Sequence, residues 1–127
     1  MPEHNQENDM FSQLMAISHE TLESGHYETA YHALVAAMHY ARDLNDLQSL
    51  AQVAPVAKAH QAWIDAHAPK HRMSTQSAVQ RYTTTLFNML AHQAATHEKI
   101  VEQVQRREDI QDLPWPGDIK VEPEPKN

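Results

Sequence analysis

Between Ser24 and Asp46 the chain reads SGHYETAYHALVAAMHYARDLND, and its apolar residues recur at intervals of three and four. Tyr27, Ala30, Tyr31, Leu34, Ala37, Met38, Ala41 and Leu44 fall in this pattern. On a helix of about 3.6 residues per turn they form one continuous apolar stripe, which has to be covered by another element. Gly25 stands just ahead of the stripe. A glycine there can take the positive φ that ends one helix and lets the chain reverse into the next. The stretch therefore reads as the joint of two packed helices. The rest of the chain agrees, since it holds only 2 Gly in 127 residues and is rich in Ala, Leu, Gln and Glu. Tight hairpin turns need glycine and helices need those side chains, so a sheet protein is disfavoured and the expected fold class is all-α.

Along the chain the expected organisation is a leader (1–8), a single helical domain (9–110) and a proline-rich acidic tail (111–127). Asn8 or Asp9 can cap a first helix carrying Phe11, Leu14, Met15, Ile17 and Leu22 and ending near Ser24. The second helix starts at about Tyr27, with Glu28 in the first turn, where the helix dipole favours an acid. Asn45 or Asp46 caps a third, with Leu47, Leu50, Ala51, Ala54, Ala57 and Ile64 on its apolar face and Trp63 beside it. Pro55 should kink or break this helix, because a proline removes one backbone hydrogen bond and clashes with the carbonyl of Ala51. Pro69 closes it at about His67. Ser74 or Thr75 then caps a fourth helix with no Gly or Pro until Pro114. Val79, Tyr82, Leu86, Met89, Leu90, Ile100 and Val104 supply its apolar face. Unbroken to about Glu108 it would be roughly 50 Å long, against about 25–33 Å for each of the others. Ile100, Val101 and Val104 would then overhang the bundle, and a second copy of the chain, the C-terminal tail or a bend would have to cover them. The first of these is a homodimer joined through the end of this helix.

The joint resembles a tetratricopeptide repeat, a helical hairpin used as a scaffold for binding peptides and proteins. The likeness rests on Gly25, Tyr27, Ala30, Leu34 and Ala37, with Leu14, Ile17 and Ser18 in the helix before, and covers about one repeat from Leu14 to Leu44. Small residues stand where such helices cross closely, and Ser18, Ala30 and Ala37 fall there. Thr21 replaces the usual aromatic, and Arg42 replaces the proline that usually ends the hairpin, so the second helix should run on to about Leu44. The resemblance implies a four-helix antiparallel array of right-handed hairpins and a protein or peptide partner.

Composition narrows the chemistry. There is no Cys, which excludes disulfides, thiolate metal sites and thiol nucleophiles. No apolar run approaches the roughly 20 residues of a membrane span, and Met1 to Asp9 is polar and acidic, unlike a targeting peptide. A cytoplasmic protein with no membrane partner is expected. A formal charge of −7 disfavours a broad phosphate-binding face, so no nucleic acid partner is expected either. Neither a glycine-rich phosphate loop nor a nucleophile elbow is found, and neither catalysis nor a cofactor is implied.

The 10 histidines are the one unusual feature. Two ligands to one ion on a single helix need a spacing of three or four, whereas His32/His39 and His60/His67 are seven apart, about 10 Å along a helix. His67 and His71 are separated by Pro69. Carboxylates accompany some of them: His19 with Glu23, and Glu28, His32, His39 and Asp43 along one strip of the second helix. These six are the candidate ligands of an alternative reading, a histidine-rich bundle holding a metal or small ligand. The leading reading is a protein-binding surface at His32, His39 and Tyr40. Trp115, set between Pro114 and Pro116, is a further docking residue.

Overall fold

The computed structural model describes residues 6–112, with side chains from Met10 to Ile110. Among these residues five helices follow one another: α1 (Gln6–Glu23), α2 (Tyr27–Asp43), α3 (Leu47–His67), α4 (Thr75–Gln80) and α5 (Leu86–Asp112). No strand occurs among the described residues. α1 packs along α2 and α5 along α3; α2 also meets α3 and α5, while α1 and α3 barely touch.

The first joint follows from its residues. Gly25 adopts φ 85°, and the Gly25 and His26 amides donate to the carbonyls of Leu22 (3.0 Å) and Thr21 (2.8 Å), closing α1. Beyond it Tyr27, Ala30, Leu34, Ala37, Met38 and Ala41 are all buried. Ser18 and Ala30 let the helices approach closely enough for the Ser18 hydroxyl to donate to the Ala30 carbonyl at 2.8 Å. Asp46 caps α3, accepting from the Ser49 amide at 3.1 Å and from its hydroxyl at 2.7 Å. Ser74 caps α4 by accepting from the Ser77 amide at 3.0 Å.

Several expectations are corrected. α1 spans Gln6–Glu23, so Asn8 and Asp9 lie inside the helix rather than capping it, and residues 6–8 belong to the helix and not to a leader. Gln111 and Asp112 belong to α5 and not to a tail; the remainder of the tail, with Trp115, lies outside the described residues. Pro55 does not break α3. It sits on the exposed side, where water can satisfy the carbonyl it orphans, while Leu50, Val53, Ala57 and Ile64 hold the other side in the core.

The expected fourth helix is two helices. Residues 81–85 interrupt it, with Tyr82 at φ 56° and the Tyr82 and Thr83 amides turned back onto Val79 (3.0 Å) and Ala78 (2.9 Å). Three successive β-branched threonines follow, poor helix formers, and Thr85 caps α5 by accepting from the Asn88 amide at 3.1 Å. Val79 and Tyr82, expected in the core, are 64% and 97% exposed as a result. Ile17, Leu44 and Met89 are also exposed. At the far end of α5 the Gln105 side chain donates to the Asn45 carbonyl at 3.1 Å, so this helix reaches the joint between α2 and α3. Val101, expected to overhang, is buried within the chain; only Ile100 and Val104 stay exposed.

Candidate binding groove

Because α1 and α3 both rest on α2 but hardly meet, a groove of about 320 Å³ is left between them. Met15, His19 and Leu22 line it from α1, and Val56, Ala59, His60 and Trp63 from α3. Each set follows a three-four spacing, so each helix turns one strip of its surface to the groove. Small Ala59 leaves room in the middle. The lining is apolar apart from the two imidazoles.

His60 is buried, 4% exposed, with Phe87 edge-on at 5.7 Å and the His19 ring at 6.2 Å. Its Nδ1 lies 3.3 Å from the Ser18 hydroxyl oxygen. Ser18 has a single proton and gives it to the Ala30 carbonyl. The proton between Ser18 and His60 must therefore come from the imidazole, so Nδ1 carries hydrogen and Nε2 carries the lone pair. Burial, and then the positive charge of His19, push the His60 pKa down to about 4. At neutral pH the groove thus contains a neutral imidazole whose remaining polar atom is a hydrogen-bond acceptor.

The same geometry argues against acyl transfer by the Ser18–His60 pair. A nucleophilic serine donates to its base, whereas this serine is fully buried, donates to a carbonyl and accepts from the ring. Around the groove the other partners are settled. Trp63 stacks on His67 at 3.8 Å, and the His67 Nδ1 lies 2.9 Å from the Trp63 carbonyl. His19 pairs with Glu23 at 3.0 Å, both about half exposed.

The residues singled out from the sequence are scattered. His32 is exposed against Tyr31, with ring centroids 5.2 Å apart, and Tyr40 is half-buried against the core. Glu28 pairs with Arg72 at 3.0 Å rather than with His32. His39 finds company on another helix: His97 of α5 is half-buried with Nδ1 unpartnered, and burial, Arg42 and His39 together lower its pKa. Asp43 is exposed. Among the described residues no three of His, Asp or Glu are placed to share an ion, so His19, Glu23, Glu28, His32, His39 and Asp43 do not form the metal site of the alternative reading. The residues that the sequence reasoning missed are His60, Ser18 and Trp63. The signal for His60 lies in its spacing: it continues the buried run of Val53, Ala57 and Ile64 at intervals of three and four, the pattern of an interior histidine.

No family model matches the chain, and no curated protein and no solved structure is significantly similar to it. No described helix is long and apolar enough to cross a membrane.

Proposed function

We propose that the protein is a helical interaction module, an array of antiparallel hairpins like the tetratricopeptide scaffold, whose α1–α3 groove takes one apolar side chain of a protein partner. The observation that carries this reading is the lone acceptor of His60 in an apolar groove. A purely aliphatic side chain would leave Nε2 desolvated and unpaired, at a cost of about 1–3 kcal/mol. An aromatic side chain with one donor, Trp or Tyr, fills the space against Met15, Leu22, Val56 and Trp63 and gives its N–H or O–H to Nε2. The test is an NMR titration of the labelled protein with short peptides carrying tryptophan or 1-methyltryptophan. The tryptophan peptide should shift Met15, Ala59 and Trp63, and the methylated one should bind more weakly. His60→Phe should abolish that preference. Equal binding of both peptides to the unaltered protein, or none, would refute the reading.

Self-association is a second part of the proposal, carried by α5, where Ile100 (45%), Val104 (41%) and Ile110 (49%) are exposed large apolar residues. A second copy laid along this helix would cover them. Sedimentation should show a dimer that Ile100→Lys with Val104→Lys converts to monomer; an unaltered chain that sediments as a monomer would remove this part.

A further inference from the structure

The elbow between α4 and α5 encloses a cavity of about 420 Å³ that the groove reading does not use. Arg72, Arg81, Thr83, Thr84 and Thr85 line it on one side, and Met73, Leu86 and Met89 form an apolar wall. In a chain of net charge −7 this is a local gathering of cations and donors. Arg81 has no carboxylate partner among the described residues; its Nη2 donates to the Arg72 carbonyl at 2.7 Å, which holds the guanidinium while leaving its other N–H groups free. Arg72 is oriented by its pair with Glu28, so the three charges sum to one positive charge.

Thr85 supplies an independent observation. It is 4% exposed, and its hydroxyl oxygen accepts from the Asn88 amide, yet among the described residues its own proton goes to no acceptor. That hydroxyl keeps a proton to give, and Thr85 is among the residues lining the cavity. In the first turn of α5, a helix of 27 residues, Thr85 takes the Asn88 and Met89 amides, and those of Leu86 and Phe87 have no acceptor among the described residues. Tyr82 ends α4 in the left-handed conformation of a helix C-terminal turn, its amide and that of Thr83 returning to the Val79 and Ala78 carbonyls, and this sets where the chain turns into the elbow.

We propose that this elbow binds a phosphate monoester, with the phosphate among Arg81, Arg72 and the three threonines and the organic body against Met73, Leu86 and Met89. A guanidinium, hydroxyls from consecutive residues and helix amides approach from several directions, which suits a tetrahedral group and exceeds what one planar carboxylate can accept. The cavity lies within the roughly 300–1,000 Å³ typical of small-ligand sites, larger than a bare phosphate fills, and the apolar wall calls for an attached body.

The experiment is an NMR titration of the full chain with phenyl phosphate, inorganic phosphate and benzoate. Phenyl phosphate should shift the amides of Thr84 to Asn88 saturably, inorganic phosphate should shift the same amides at higher concentration, and benzoate should bind least. Arg81→Gln keeps a donor for the Arg72 carbonyl but removes the charge, and should weaken phenyl phosphate by about tenfold or more. If that variant proves unfolded by circular dichroism, Thr84→Val at an exposed position is read instead, with a smaller loss in the same direction. Absence of saturable shifts with phenyl phosphate overturns the proposal. So does equal affinity for phenyl phosphate and inorganic phosphate with no effect of either substitution, which marks an adventitious ion only. The probes do not engage His60, so this outcome is independent of the groove.

Discussion

Acidification should destabilise this protein mainly through His60, and the size of the effect follows from its surroundings. The imidazole titrates at about 4 in the folded chain against 6.5 when unfolded, because burial and His19 disfavour the cation. A group whose pKa is lowered by folding binds its proton more readily in the unfolded state. Its contribution is therefore intact above pH 6.5 and is lost as the pH falls toward 4. At pH 5 the unfolded chain has taken up the proton and the folded chain hardly at all, a difference worth about 2 kcal/mol, growing to about 3 kcal/mol below pH 4. The control is His60→Gln, which cannot titrate but whose amide can still donate to the Ser18 hydroxyl. Urea unfolding of both chains at pH 8 and pH 5 isolates the term, since the lowered pKa of His97 and the carboxylates contribute equally to each. The unaltered protein should lose about 2 kcal/mol more than the variant over this range, or about 8 °C in Tm at about 4 °C per kcal/mol. Parallel losses in the two chains would refute the argument.

Two substitutions test the packing and one the elbow. Leu34 is fully buried between α1 and α2, so Leu34→Ala should cost about 2–5 kcal/mol in urea unfolding. Ala30→Leu should cost about 1–3 kcal/mol, because the Ala30 carbonyl lies 2.8 Å from the Ser18 hydroxyl and leaves no room between the helices. An unchanged midpoint for Ala30→Leu would contradict the close crossing. Tyr82→Gly should stabilise the chain by about 1 kcal/mol, since Tyr82 is 97% exposed, contributes little packing and sits at φ 56°. A lower midpoint would show that the left-handed conformation is not strained.

What could be read from the residues was local. The stripe from Tyr27 to Ala41, the glycine at the first joint and the caps Asp46 and Ser74 all act within a turn or two of themselves, and each is where its chemistry requires. The break at 81–85 was also locally encoded, by three threonines of which the last is a good helix cap; the apolar spacing of Val79, Tyr82 and Leu86 masked it. Periodicity states that a face is apolar, and it is silent on what will cover that face. Val79 and Val101 look alike in sequence, yet one is left in water by the turn of the elbow and the other is buried where α5 runs along α3.

The candidate sites belong to that second level. The tautomer of His60 depends on Ser18, 42 residues away, whose own proton is committed to a carbonyl of a third helix, and its charge state on burial and on His19 of α1. His39 acts on the His97 pKa only because α2 and α5 pack together, and Arg81 reaches the Arg72 carbonyl only because the chain turns twice between α3 and α5. The amino-acid sequence by itself determined a helical chain with apolar faces to bury. Only the tertiary structure decided that α1 and α3 would lean on α2 without closing on each other, because how far two helices stand apart is set by the helix both rest on and not by either alone.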